Sequence, residues 1–180
     1  MQAILHCDEN WGIGKKNDLM FRLPKDMKFF RKTTTSKVVV MGSNTLLSFP
    51  DSKPLKNRTN IVLWPGGPTE KAERDGFIMA QNLDELLKIL ANYPSQDIFV
   101  IGGAMMYRTL LPYCDKVLLT KVQANGNAEV FFPNLDEMPN WTMVQESQPI
   151  EDNGYIIKFT TYQNNAPKTL PNEEHGDIDV

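Results

Sequence analysis

The sequence encodes a single-domain α/β fold: a mostly parallel central sheet of about eight strands, flanked by helices and carrying a C-terminal antiparallel hairpin at its edge. Three observations point to it. Short apolar runs rich in β-branched residues recur along the chain, helical patterns lie between several of them, and the C-terminal part changes to apolar–polar alternation. Runs that are apolar on both faces suit parallel strands covered by helices, and their alternation with helices suits right-handed crossovers.

The strands read "AILHC" at 3–7, "KVVVMG" at 37–42, "NIVLW" at 60–64, "GFIMA" at 76–80, "DIFVIGG" at 97–103 and "KVLLTKV" at 116–122. Helical spacing covers 24–34, 43–49, 82–93 and 104–113. "NWTMVQESQPI" and "GYIIKFTTYQ" alternate around the "EDNG" turn at 151–154, the pattern of an antiparallel hairpin. The folded domain is expected over 1–163. The remainder, 164–180, is polar, acidic and punctuated by proline, a composition that predicts disorder.

A chain of 180 residues suits one domain. With 41% hydrophobic residues, 23% charged residues and a net charge of −3, it has an ordinary globular profile and no electrostatic footprint for nucleic acid. No window approaches the length of a membrane span, and "MQAILHCDEN" lacks a basic n-region, so a cytoplasmic monomer without membrane or nucleic-acid partners is expected. Cys7 and Cys114 match no metal or redox spacing and read as free buried thiols; no metal site is expected.

Five places can carry chemistry. In "LMFRLPKDMKFFRKTT", Leu23, Met27, Phe30 and Thr34 mark the inward face of a helix, and Asp26 stands at its edge. A first-turn acid can satisfy backbone N–H groups and answer the helix dipole. It can equally be a carboxylate in a cleft, binding a flat cationic or amidine-like group. "VIGGAMMY" places Gly102 and Gly103 between a buried strand and a helix, a tight turn or an anion site, without the dinucleotide or P-loop spacing. "VVVMGSNT" repeats that arrangement at Gly42, and two such strand ends share one edge of a parallel sheet. The loop "WGIGKKNDL" is long enough to be a lid. Arg58, just before a strand, is either a solvated cation or a carboxylate clamp.

Taken in order, "NWGIGKKNDLMFRLPKDMKFF", "VVVMGSNTLLSFP", "PLKNRTNIVL", "VIGGAMMY" and "LLTKV" followed by "EVFFP" resemble the dihydrofolate reductases over residues 1–162. The resemblance implies NADPH-dependent reduction of 7,8-dihydrofolate to 5,6,7,8-tetrahydrofolate, with hydride passing to C6 and protonation at N5. It makes Asp26 the acid that binds the pterin through N3 and the 2-amino group, with Thr120 hydrogen-bonded to it and Phe21 in place of the common tryptophan nearby. Ile4, Leu5, Met27, Phe30, Phe49, Leu55 and Ile101 become walls for the pterin and benzoyl groups, and Arg58 the clamp on the α-carboxylate. Cofactor contacts fall to His6, Ile13, Gly14, Asn17 and Leu19 at the first strand and the lid. Gly42, Ser43, Asn44, Thr45, Leu63 and Trp64 serve after the second and third strands. Gly102, Gly103, Ala104, Met105 and Met106 follow, with a cis peptide between the glycines. Antifolates are the implied inhibitors.

The sequence departs from the family at His6, where a small apolar residue is usual. It also departs at Ser43, Asn44, Trp64, Pro65 and Met105, where basic and hydroxyl side chains usually hold the adenosine 2′-phosphate, so use of NADH becomes possible. Lys37 and Lys71 are the nearby cations that could substitute, and Trp64 could stack on adenine. Two alternatives share some of these features: a pyrimidine reductase of riboflavin biosynthesis, and a pterin- or nucleotide-binding module without turnover.

Overall fold

The computed structural model describes residues 1–16 and 18–171. From the N-terminus it places β1 (Gln2–Cys7), β2 (Gly12–Gly14), α1 (Pro24–Thr34), β3 (Val38–Gly42), α2 (Ser43–Ser48), β4 (Thr59–Leu63), α3 (Thr69–Asp75), β5 (Ile78–Ala80) and α4 (Leu83–Leu90). Then come β6 (Ile98–Gly102), α5 (Ala104–Leu110), β7 (Lys116–Val122), β8 (Val130–Phe131), β9 (Trp141–Glu146), β10 (Ile150–Asp152) and β11 (Tyr155–Asn164). Nine strands form one sheet in the order β10-β11-β7-β1-β6-β3-β4-β5, with β9 also paired to β11. β2 and β8 pair separately.

Every pair from β7 across to β5 is parallel, and the strands of this part are apolar on both faces because helices cover both. Val39, Val40 and Met41 of β3, Ile61 and Val62 of β4, and Ile98 and Val100 of β6 are completely buried. β1 and β7 pair along their length, which sets His6 opposite Thr120. Beyond β7 the pairing turns antiparallel, and the single long strand β11 carries β9 on one half and β10 on the other. The sheet therefore has nine strands against about eight expected, because the C-terminal part supplies three. Asn153 and Gly154 turn between β10 and β11 with φ of 52° and 84°, the paired left-handed values that a two-residue hairpin turn requires and glycine supplies readily.

Several element ends differ from expectation for local reasons. The helix expected over 104–113 stops at Leu110 and continues as a 3₁₀ turn, since Pro112 has no N–H with which to extend it. α3 was not expected: "TEKAERD" buries only Ala72 and carries no apolar period. Gly76 ends it in the left-handed conformation, which delays the following strand to Ile78. β11 runs one residue past the expected boundary, to Asn164, whose side-chain amide donates to Cys114 O at 3.0 Å. Lys168 N–H donates to Pro112 O at 2.8 Å and Leu170 packs on the core, so part of the expected tail lies against the domain. Residues 172–180 lie outside the described residues. Cys7 and Cys114 are free and buried, and burial pushes both thiols up to about 12.

The first turn of α1 decides where Asp26 points. Leu23 occupies the N-cap and offers no side-chain acceptor, while Pro24 fits the first helical position. The cap comes from another element. Asp152 of β10, nearly fully buried, accepts from Lys25 N–H at 3.0–3.1 Å and from Asp26 N–H at 3.1 Å. The capping role open to Asp26 is thus performed by Asp152. The expected apolar stripe is also divided: Leu23 and Thr34 are buried, Met27 and Phe30 face a cleft, and Phe29 packs on Phe159 of β11 at 4.9 Å. Replacing Asp152 with alanine strands two helix-end N–H groups. Chemical denaturation should show a loss of about 1–3 kcal/mol, with reduced turnover because Asp26 loses its anchor.

Candidate active site

A cleft of about 1000 Å³ opens at the carboxyl ends of β1, β3, β4 and β6, the edge where parallel sheets bind ligands. Asp26 enters it from α1. Thr120, on β7 behind the cleft wall, donates its hydroxyl to Asp26 Oδ1 at 2.7 Å. On the other side His6 Nδ1 stands 3.3 Å from Asp26 Oδ2. Ile4, Leu5 and His6 form the floor. Phe21 closes one side, packed edge-on against Tyr155 at 4.8 Å.

One arm of the cleft is apolar with a cationic mouth. Met27, Phe30, Phe49, Leu55 and Ile101, which the family resemblance marks as walls, line it. At the mouth Arg58 donates from Nε to Lys56 O at 2.9 Å and from Nη1 to Thr34 Oγ1 at 3.2 Å. The buried amide of Asn60 fixes this loop: its Oδ1 accepts from Leu55 N–H at 3.0 Å and its Nδ2 donates to Leu55 O and Arg58 O. Partial burial and the neighbouring Arg31 both push the Arg58 guanidinium down from its usual value. Among the described residues no carboxylate pairs with Arg58. Arg58 and Arg31, neither paired with a carboxylate among the described residues, favour a ligand that brings its own negative charge.

The other arm is lined by backbone-rich segments. Gly42, Ser43, Asn44, Thr45 and Leu63 follow β3 and β4, and Gly102, Gly103, Ala104, Met105 and Met106 follow β6. The Gly102–Gly103 peptide is cis, as the family resemblance implies, and Gly102 has φ of 138°. A Cβ built on Gly102 would stand 3.2 Å from Thr45 Oγ1, so glycine lets the end of β6 lie close against α2. This cradle, with an apolar floor beside it, fits a flat ring continued by a phosphate-bearing chain.

Trp64 does not join it. Its indole lies on Phe77, ring centroids 6.5 Å apart, with Lys71 Nζ 5.7 Å above it, while Pro65 takes the place at the cleft. Lys37 is occupied by Asp97 at 3.0 Å.

The loop between β1 and α1 covers the junction of the two arms. Ile13, Gly14, Leu19 and Phe21 line the cleft from it, and β2 pairs with β8 to hold it. Asn17 lies outside the described residues. The sequence reading missed Lys15, Lys16 and Asp18 of this loop, together with Glu129 and Val130 across from it. It also missed Arg31, although the four-residue step from Met27 places both on one helix face. Tyr107 was missed because its hydroxyl donates to Ile4 O at 3.1 Å, a tertiary contact without a local signal.

The sequence model of the family described as dihydrofolate reductase matches residues 1–164. The dihydrofolate reductase of Bacillus subtilis (strain 168) is 35% identical over 162 residues, covering 89% of this chain and 92% of the relative. The bifunctional dihydrofolate reductase-thymidylate synthase of Daucus carota is 34% identical over 177 residues, covering 89% of this chain and 33% of that longer protein. Among solved structures, the dihydrofolate reductase from Enterococcus faecalis complexed with NADP(H) and RAB-propyl superposes with a TM-score of 0.75 at 30% identity, covering 91% of this chain and 95% of that one. An acid held at the floor of a two-armed cleft, on this sheet and with these relatives, leaves one assignment: the chain belongs to the dihydrofolate reductase family.

Proposed function

We infer that the protein reduces 7,8-dihydrofolate to 5,6,7,8-tetrahydrofolate with NADPH. The observation that carries this reading is Asp26, a carboxylate set at the junction of the two arms and tied to Thr120. Each carboxylate oxygen has two lone-pair sites, so the Thr120 contact leaves room for the two parallel N–H donors of a pterin edge. Bound in the glycine-lined arm, NADPH supplies the hydride that C6 accepts. Asp26 favours the protonated form of the heterocycle, because a positive charge developing beside a shielded carboxylate is stabilised more than in water. Met27, Phe30, Phe49, Leu55 and Ile101 grip the pterin and benzoyl groups, Arg58 takes the α-carboxylate of the glutamate tail, and Phe21 and Leu19 exclude water over the ring. The Asp26 carboxylate at the junction of the arms and the Arg58 cation at the mouth of the apolar arm favour a folate over the riboflavin-pathway pyrimidine. The same reading includes a cytoplasmic monomer that binds antifolates in the Asp26 arm. No helix among the described residues is long and apolar enough to cross a membrane.

Asp26→Asn should fold and bind, yet lose about 10²–10⁴-fold in hydride transfer at neutral pH, as expected when a proton-handling group is removed. Partial recovery at low pH, where solvent protonates the substrate, is the accompanying sign. Stopped-flow turnover near wild-type rates at neutral pH would remove Asp26 from the mechanism.

Arg58→Leu should weaken dihydrofolate binding by about 1.5–3 kcal/mol, the range for hydrogen bonds to charged groups. A pteridine without the glutamate tail should bind as before. Equal losses for both ligands in a titration would mean that Arg58 acts by holding the loop through Lys56 and Thr34.

Coenzyme choice follows from side chains that carry no charge. Ser43, Asn44, Pro65 and Met105 line the glycine-rich arm, Lys37 is paired with Asp97, and Lys71 lies over the Trp64 ring. Each charged hydrogen bond to a phosphate contributes about 1.5–3 kcal/mol, so losing two can remove a hundredfold preference or more. NADPH should be preferred over NADH by less than roughly 100-fold, with weak salt dependence. Paired kcat/KM measurements decide this, and a ratio above about a thousand would require another cation at the 2′-phosphate.

A further inference from the structure

The chain carries nine methionines, and the fold covers them unequally. Met1, Met41 and Met106 are at most 1% exposed. Met20, Met79, Met138 and Met143 are half-buried and packed against the core. Met27 and Met105 are 54% and 68% exposed, and both line the cleft. They stand one in each arm. Met27 follows Asp26 on α1 and walls the apolar arm, while Met105 opens α5 just after Gly102 and Gly103. The two most open thioethers of the protein thus belong to the two halves of one cleft.

Exposure matters because a thioether reacts with an oxidant without ionising first, whereas a thiol reacts as its thiolate. Cys7 and Cys114 are buried, and burial pushes both thiols up to about 12, so neither offers a thiolate to solvent near neutral pH. The sulfur that a dissolved oxidant meets most readily is therefore that of Met27 and Met105.

We propose that Met27 and Met105 are sites at which a peroxide modifies the protein, each oxidation weakening the ligand of its own arm. The ligands named here rest on the reaction assigned above. The sulfur lone pair attacks one peroxide oxygen, and an S–O bond forms as the O–O bond breaks. The departing hydroxide takes the proton from the new S–OH group. The thioether loses two electrons and becomes a sulfoxide, while hydrogen peroxide is reduced to water. A flexible apolar side chain is thereby replaced by a polar, chiral one. An oxygen added among Phe30, Phe49 and Leu55 must shed its water when an apolar ring enters, and none of those side chains can donate to it. At Met105 the same change meets the coenzyme. Binding and oxidation are reciprocal: a bound ligand covers the sulfur, and the sulfoxide disfavours the ligand.

Peptide mass mapping after brief exposure to dilute hydrogen peroxide tests the sites without any turnover. Met27 and Met105 should gain the mass of one oxygen ahead of the other seven methionines. Folate should protect Met27, and NADP⁺ should protect Met105; both ligands are already oxidised and do not consume the reagent. In the treated enzyme the KM for dihydrofolate should rise about tenfold, the effect of an oxygen left unpaired against an apolar ring. The KM for NADPH should rise as well, with kcat less affected because Asp26 and Thr120 carry no sulfur. Met27→Leu and Met105→Leu keep the side-chain volume, and each should hold the KM of its own arm at its own untreated value. Methionine sulfoxide reductase with a thiol reductant should restore both constants. Oxygen appearing first at other methionines overturns the proposal, as does full oxidation of Met27 and Met105 with both KM values unchanged. A wrongly assigned reaction shows separately, as untreated protein that does not oxidise NADPH when given dihydrofolate.

Discussion

The hydrogen bonds that Asp152 accepts from the first turn of α1 are the constraint on which the active site depends. A helix that begins Leu23–Pro24 has no acceptor of its own for its leading N–H groups, and the nearest acid by sequence is Asp26. Were Asp26 to fold back onto them, its carboxylate would be spent on the helix end. Asp152 arrives from 126 residues further along and takes that task, leaving Asp26 directed at Thr120 and the cleft. The helix dipole stabilises both carboxylates at one N-terminus, which eases their closeness. β10 is held by β11, and β11 by β7, the strand that also carries Thr120. The position of the acid therefore depends on the antiparallel edge of the sheet as much as on its own helix.

The second determinant is the common direction of the parallel strands. β1, β3, β4 and β6 all end at one edge, so residues far apart in sequence converge without any of them being locally unusual. Ile4 to His6, Gly42 to Thr45, Leu63 and Ile101 to Met106 meet there because each follows or ends a buried strand. Side chains suit the arm that grips an apolar ring, and glycines suit the arm where backbone must come close. The difference between "MGSN" and "LHC" at strand ends is the difference between those two requirements.

The sheet order follows from patterns a reader of the sequence can see: the buried strands are short and apolar on both faces, and the terminal hairpin alternates. Gly42, Gly102 and Gly103 at strand ends were legible for the same reason, whereas Ile4, Leu5, His6, Leu63 and Ile101 came only through the family resemblance. Elements with no apolar period were not. α3 buries one alanine, and β2 and β8 are too short to show alternation. Nor can a local pattern reveal a contact supplied from elsewhere. Asp152 as a cap, Asn60 as the brace of the Arg58 loop and Tyr107 bonded to Ile4 O are all tertiary events. Trp64, placed at the coenzyme arm by the family resemblance, stacks on Phe77 while Pro65 lines the cleft, another tertiary contact without a local signal.

The loop over the cleft combines two unequal parts. Its base is fixed by Asp8, a nearly fully buried carboxylate that accepts from Asn10 N–H at 2.9 Å, Gly12 N–H at 2.7 Å and Gly126 N–H at 3.0 Å. Hydrogen bonds to a charged acceptor contribute about 1.5–3 kcal/mol each, so displacing the base disrupts several at once and uncovers a buried charge. Further out the balance is different. Lys15 and Lys16 are exposed, Leu19 is 61% exposed, and among the described residues Lys16 N–H ties this part to the opposite segment by donating to Glu129 at 3.2 Å. Moving this part costs little, because little is buried there to lose. Leu19 sits on the inexpensive side of that division and faces the junction of the two arms, where a bound ring would give it the apolar surface it lacks. Asp8 keeps the base of the loop and the strand pair beneath it in one place.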